Sequence, residues 1–276
     1  MNDFYSEVKT GKRFEFGANW SHFLNVLNDE RISLADASLK SMLGVDDLKG
    51  KRFIDIGSGS GLFSLAARRL GASVHSFDYD PQSVACTAEL KQRFFPNDND
   101  WVVEEGSVLD TAYLRRLGQF DVVYSWGVLH HTGAMWQALE HVIPLVAGQG
   151  RLFIAIYNDQ GRESITWNRI KKVYCAAPNL IKKLIVALCM LRLWGPTSVR
   201  DIIAGDPGRT WRTYATLSGR GMSPWRDVVD WVGGYPFEVS KPEEVFDFFH
   251  GSGFQLNKLT TCGGGLGCNE FIFIKP

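Results

Sequence analysis

From residue 50 onward, short apolar runs alternate with amphipathic stretches, and the two periods predict strands and helices in turn. The pattern reads as strand 53–57, helix 61–70, strand 73–77, helix 81–95, strands 101–104 and 120–125, helix 133–146 and strand 151–157. Regular alternation of this kind implies a parallel sheet with helices on both faces. Before it, Trp20, Phe23, Leu24 and Leu27 recur at helical spacing, and Leu34, Leu39, Met42 and Leu43 suggest a second helix ending at Gly44. After Tyr157 the rhythm breaks. Helical stretches at 164–176 and 179–194 lead into a loop-like region containing Trp211, Trp225 and Trp231. The rhythm resumes with a helix from Pro242 through Phe249 and strands at Phe254–Thr260 and Asn269–Ile274, joined by a glycine-rich hairpin at 263–267. The predicted organisation is therefore an N-terminal helical extension (1–49), a core (50–157), a helical insertion (158–240) and a closing helix with two strands (241–276).

The first strand meets three alternate glycines and then a helix: Asp55-Ile56-Gly57-Ser58-Gly59-Ser60-Gly61-Leu62. Glycines accept positive φ and let a ligand lie against bare backbone, and the helix start behind them offers free N–H groups and partial positive charge. A dinucleotide turn needs G-x-G-x-x-G, whereas Leu62 stands where its third glycine belongs. Asp55 would repel a pyrophosphate and suits a ligand carrying an ammonium group. The second strand ends in Asp78-Tyr79-Asp80-Pro81. Asp78 is placed to accept from a ribose diol, or alternatively to cap the helix that Pro81 opens. A nucleoside with an amino-acid tail satisfies both acids.

With those motifs the chain resembles the class I S-adenosylmethionine-dependent methyltransferases. Asp55-x-Gly57-x-Gly59-x-Gly61 matches their first motif, and Asp78 the acid of the second strand. Residues 103–110, Val-Glu-Glu-Gly-Ser-Val-Leu-Asp, match the third motif, and 120–131, from Phe120 to His131, the fourth. The resemblance covers about residues 50 to 157. It implies an α/β, Rossmann-like doubly wound sheet with an antiparallel last strand, and S-adenosylmethionine as cofactor with S-adenosylhomocysteine as product. Cofactor contacts then fall to Asp55, Gly57, Ser58, Gly59, Gly61, Asp78, Tyr79, Ser107, Val108, Ser125 and Trp126. Ser107 departs from the family pattern, which often carries Asp there for the adenine amino group.

Methyl transfer from a sulfonium asks a protein to align the nucleophile and, for a hydroxyl, to remove a proton. His131 and His130 follow the fourth strand and are the candidate bases, with His131 preferred. Tyr157, Asn158 and Tyr235 are candidate substrate contacts, Tyr235 because Gly233 and Gly234 before it suggest close backbone approach. An oxygen nucleophile on an anionic or hydroxylated small molecule is expected. N-methylation or a lipid-linked or saccharide acceptor is the alternative, and a nicotinamide-dependent oxidoreductase, an aminopropyl transferase or a non-catalytic cofactor-binding partner are the rival classes.

Composition narrows this further. Formal net charge is zero, so the molecule as a whole offers no electrostatic footprint for nucleic acid. Twelve Lys and Arg against six acids between residues 160 and 240 give that segment +6 and the remainder −6. A basic wall favours an anionic substrate, although a solvated basic face would look the same. The five cysteines show neither a disulfide framework nor a zinc spacing, so no metal is expected. No signal-peptide pattern opens the chain, and a reducing cytoplasm is expected. The apolar run Leu184–Leu191 is far shorter than the roughly 20 residues a membrane-spanning helix needs. Burial against the core or a second copy through 179–194 is the favoured reading of that run, and peripheral membrane contact the less favoured one.

Overall fold

The computed structural model describes residues 3–217 and 224–276. Seven strands form one sheet in the order β3-β2-β1-β4-β5-β7-β6. They are β1 (Arg52–Ile56), β2 (Ser73–Asp78), β3 (Trp101–Glu105), β4 (Phe120–Trp126), β5 (Val146–Tyr157), β6 (Gln255–Thr260) and β7 (Cys268–Ile274). The first five pair in parallel, while β7 runs antiparallel to both β5 and β6. This is the α/β doubly wound sheet with an antiparallel closing strand that the sequence predicts.

The helices are α1 (Phe4–Lys9), α2 (Gly17–Leu24), α3 (Asp29–Leu43), α4 (Leu62–Arg69), α5 (Pro81–Phe94), α6 (Thr111–Leu117), α7 (Met135–Val142), α8 (Arg162–Ala176), α9 (Asn179–Ile203), α10 (Arg209–Leu217), α11 (Pro224–Gly233) and α12 (Pro242–Gly251). Alternate side chains of each strand point to opposite faces, so two cores form. Ile54, Ile56, Val123 and Ile154 pack with Leu114 of α6, Leu139 of α7 and Phe249 of α12. Phe53, Val122, Tyr124 and Phe153 pack with Leu39 of α3, Leu65 of α4 and Leu90 of α5. A third cluster, built on Trp167, Val186, Val228 and Phe237, joins α8, α9 and α11.

Local chemistry sets several boundaries. The Asn28 side chain accepts from the Arg31 N–H to start α3, and Gly44 ends it at φ 64°. Pro144 cannot continue α7, so the expected helix 133–146 stops at Val142 and tightens into a 3₁₀ turn over Ile143–Leu145. β5 begins five residues earlier than expected, because Val146 pairs with Phe120 before an irregularity restores the register at Val122 and Arg151. α9 runs on to Ile203 past Pro196. The region expected as loop holds α10 and α11 instead. Their apolar residues, such as Val228 and Val232, are buried only because α8 and α9 cover them. The chain leaves the sheet at Asn158 and returns beside it at Ser240, whose N–H donates to the Tyr157 carbonyl at 3.0 Å.

Candidate active site

β1 delivers the chain into the turn Gly57–Gly61, and two glycines there are dictated by space. A Cβ on Gly57 (φ 76°) would fall 2.4 Å from Val128 of the β4 exit, and one on Gly59 (φ 55°) would fall 3.1 Å from the Trp20 indole nitrogen. The turn is tied to its neighbours by N–H donation from Gly57 and Ser58 to the Phe77 carbonyl, and by a 2.9 Å bond between the Ser58 and Thr87 hydroxyls. The loop is thus a bare-backbone cradle at the carboxyl edge of the sheet.

Two acids grip this loop from below and beside. Asp55 is buried under α4 and accepts from the Ser64 hydroxyl. Ser76 donates to Ser64 at 2.8 Å and the Trp101 indole to Ser76 at 2.9 Å, a continuous chain across the core. Asp55 therefore holds the first turn of the helix behind the glycines. Asp78 accepts from Gly59 N–H and from Asp80 N–H, both at 2.9 Å. The helix cap is Asp80, whose side chain accepts from Gln82 N–H. Burial pushes Asp55 up to about 7 and Asp78 up to about 6, and hydrogen bonds from Ser64 and from the Gly59 and Asp80 N–H groups offset only part of that. The turn of bare glycine backbone with Asp78 beside it fits a ligand that brings a diol, whereas Asp55, expected to face an ammonium group, is instead buried under α4 against Ser64.

The third- and fourth-motif residues are used more locally. The Ser107 hydroxyl accepts from Leu109 N–H at 3.2 Å, and the Val108 carbonyl bonds His141 Nδ1 at 2.9 Å. Ser125 donates to the Ile56 carbonyl, locking β4 to β1. The Trp126 indole donates to Glu270 on β7. Three of these residues are thus committed through their side chains and Val108 through its main-chain carbonyl.

Sequence reasoning missed the cover of the cleft. Arg13 donates to the His131 carbonyl at 2.9 Å, pairs with Glu7 and lies 4.9 Å over the Tyr79 ring. Phe4 packs edge-on against Tyr79, and Gly17 N–H donates to Asp80 at 2.8 Å. The helical face through Trp20 was a signal for α2, yet nothing in the spacing told that Arg13 bridges the ends of β2 and β4.

The two histidines lie in the 3₁₀ turn Leu129–His131, both buried. His130 Nδ1 accepts from Tyr157 N–H at 3.3 Å, which leaves the ring proton on its buried Nε2. His131 Nδ1 lies 2.7 Å from the Pro236 carbonyl. A carbonyl can only accept, so Nδ1 carries the proton and Nε2 carries the lone pair. Burial pulls His131 down to about 3, against the pull of the Pro236 bond, and pulls His130 down as well. Both rings are neutral at physiological pH. Tyr157 lies 3.9 Å from the His130 ring and 5.3 Å from Trp231. The glycines before Tyr235 are explained by the same packing. A Cβ on Gly233 would strike the Phe14 ring at 2.3 Å, and one on Gly234 would approach His131 Cε1 at 2.9 Å. Tyr235 itself receives the Phe14 N–H on its carbonyl. Asn158 turns away toward β7, where it accepts from Asn269 at 3.0 Å.

A doubly wound sheet with a glycine cradle and two acids at the carboxyl ends of β1 and β2 defines the class of nucleoside-binding α/β proteins. Residues 27–182 match the family model described as a methyltransferase domain, and the chain belongs to that family. It is 31% identical over 134 residues to the ribosomal protein L11 methyltransferase of Bacillus velezensis, covering 44% of this chain and 42% of that one. It is 32% identical over 135 residues to the ubiquinone biosynthesis O-methyltransferase of Xanthomonas oryzae pv. oryzae, covering 49% and 52%. The chain thus spans about half the length of these curated relatives. Its fold is shared with magnesium protoporphyrin IX methyltransferase from Synechocystis PCC 6803, solved with bound S-adenosylhomocysteine, at a TM-score of 0.52, 14% identity and coverage of 89% and 83%.

Proposed function

We propose that this chain is an S-adenosylmethionine-dependent methyltransferase that acts on a hydroxyl of a small molecule. The observation that carries the cofactor is the glycine cradle set between Asp55 and Asp78. Asp78 would accept from the ribose diol, the backbone of Gly57–Gly61 would face the amino-acid end, and Asp55 would act through the helix start it holds. Bound there, the cofactor supplies a methyl group already activated by a positive sulfur.

The preference for an oxygen nucleophile rests on His131. Its Nδ1–H is spent on Pro236, which fixes the ring and leaves Nε2 as the proton acceptor. His131 takes the proton the acceptor hydroxyl loses. The site that started with one positive charge then ends with one, so burial of the imidazolium is offset by loss of the sulfonium. His130 lacks that freedom, because its lone pair is given to Tyr157 N–H. The X. oryzae relative is named an O-methyltransferase, which supports the same choice. Among the described residues of the insertion, Trp231 and Phe237 pack on Tyr157 and would form an apolar wall beside the acceptor. A cytoplasmic location suits five cysteines that are all unpaired.

The test is calorimetry with S-adenosylhomocysteine, followed by a mass screen of native metabolites for products heavier by one methylene. His131→Ala should lower kcat by about 10²–10⁴ while leaving S-adenosylhomocysteine affinity within about threefold. Full turnover in His131→Ala would remove the base, and absence of S-adenosylhomocysteine binding in the unaltered protein would remove the whole reading.

A further inference from the structure

α9 is apolar on two opposite faces. Val186 and Cys189 are buried, and Ile185, Met190 and Leu193 pack on the same third cluster. Leu180, Leu184, Leu188 and Leu191 follow at spacings of four, four and three, so they share the other face. All four are exposed, Leu180 by 78% and Leu191 by 70%. Beyond Pro196 the stripe continues through Val199, Ile202 and Ile203, the last exposed by 82%. Single exposed leucines are ordinary, but a continuous stripe along a 25-residue helix marks a surface that something covers.

Charge says what covers it. From Ser164 to Arg200 the chain contains seven Lys and Arg and no Asp or Glu. Lys171 is buried, and the other six, Arg169, Lys172, Lys182, Lys183, Arg192 and Arg200, reach the surface. Arg192 pairs with Glu163 at 2.8 Å at the edge of this stretch, and Lys182 reaches over the Tyr174 ring. A two-fold contact through this face would set each basic flank against its own copy, with no acid on the stretch to answer it. An anionic bilayer answers both features, since lysine and arginine meet phosphate while leucine and isoleucine enter the acyl boundary. No described helix is long and apolar enough to cross a membrane, so α9 would lie in the surface plane.

We propose that the outer face of α9 docks the protein onto an anionic lipid surface, with Leu180, Leu184, Leu188 and Leu191 in the acyl boundary and Lys183 and Arg192, which flank that stripe at helical spacing, at the headgroups. The inner face of the same helix belongs to the cluster that holds Tyr157, Trp231 and Phe237, so docking brings the candidate acceptor wall to the membrane. The docking stands or falls independently of methyl transfer.

The experiment is co-sedimentation of the full chain with vesicles of equal phosphatidylglycerol and phosphatidylcholine, and with phosphatidylcholine alone. The protein should pellet with the anionic vesicles and stay in solution with the neutral ones. Leu184→Glu/Leu188→Glu/Leu191→Glu should weaken vesicle binding by about tenfold or more, and Lys183→Glu/Arg192→Glu should weaken it and blunt its salt dependence. Leu34→Glu, exposed on α3, should bind as the unaltered protein does. Far-ultraviolet circular dichroism and the thermal midpoint check the fold of each variant, with Leu188→Ser as the milder replacement should the triple variant unfold. The proposal is overturned by absence of pelleting with anionic vesicles, or by binding that survives the leucine substitutions. A concentration-dependent dimer in sedimentation equilibrium that the leucine substitutions abolish would overturn it in favour of a second copy.

Discussion

On the proposed reading Asp78 accepts from a diol as a carboxylate and Asp55 holds the helix start as one, yet burial raises both in the free protein, to about 7 and about 6. The sign of the consequence follows. Below those values binding has to expel a proton, so affinity falls with falling pH. Above them the carboxylates are already charged, and affinity levels off. Calorimetry with S-adenosylhomocysteine from pH 5 to 8 should show affinity climbing by up to about tenfold per pH unit and then flattening above pH 7. Asp78→Asn should weaken binding and remove part of the slope, and a flat profile in the unaltered protein would sink the assignment. His131 predicts the opposite shape for turnover. With its ring held down to about 3 by burial, it is unprotonated throughout this range. The kcat profile should therefore carry no inflection near 6.5, the ordinary histidine value.

At the scale of elements, the segment after α11 does what no single residue could. It presents the Pro236 carbonyl to His131 and seats the bare face of Gly234 beside the imidazole. Gly234→Ala would place a methyl 2.9 Å from His131 Cε1, and the Asp230 carbonyl lies 3.1 Å away on the other side. The imidazole must then shift, so kcat should drop about tenfold or more with little change in S-adenosylhomocysteine affinity. Steady-state kinetics beside calorimetry separates the two effects, and unchanged kcat would show that the contact is slack. The elements themselves were legible where their cause is local. β1, the glycine turn and α4 follow from adjacent residues, and Gly44 announces the end of α3. α10 and α11 escaped because their apolar faces have partners only on α8 and α9, which the local pattern cannot reveal. The early start of β5 escaped for the same reason, since Val146 becomes a strand residue only by pairing with Phe120.

Across the whole molecule, the cofactor cradle reads from one stretch of chain while the acceptor side is assembled from distant ones. His131 meets Pro236 over 105 positions, and Arg13 reaches the His131 carbonyl over 118. Motif spacing placed the histidines after β4 but held no trace of the partners that leave the lone pair of one ring on Nε2 and commit that of the other to Tyr157 N–H. Lys171 is the extreme case: it read as one charge in a basic segment, and it is buried. Its amine donates to the Trp231 carbonyl near the end of α11 and lies 4.2 Å from the Trp231 ring and 4.6 Å from Phe237. Cys175 donates to the Gly233 carbonyl beside it, at 3.1 Å. α8 thus pins α11 against the site through two side chains. Burial lowers Lys171 to about 7, with partial opposition from Cys175, Asp230 and Cys189. The folded chain therefore holds this proton less tightly than the unfolded chain, whose lysine keeps its ordinary value of 10.5. The corresponding stability is fully present above pH 10.5 and is lost as pH falls toward 7. Lys171→Met keeps the length of the side chain and removes the titration. Urea unfolding of the two proteins should show the unaltered chain gaining on the variant between pH 7 and 9.5, by up to about 1.4 kcal/mol per pH unit. A gap that stays constant with pH would mean that Lys171 keeps its charge in the fold, and that the aromatic rings around it act as a cation site.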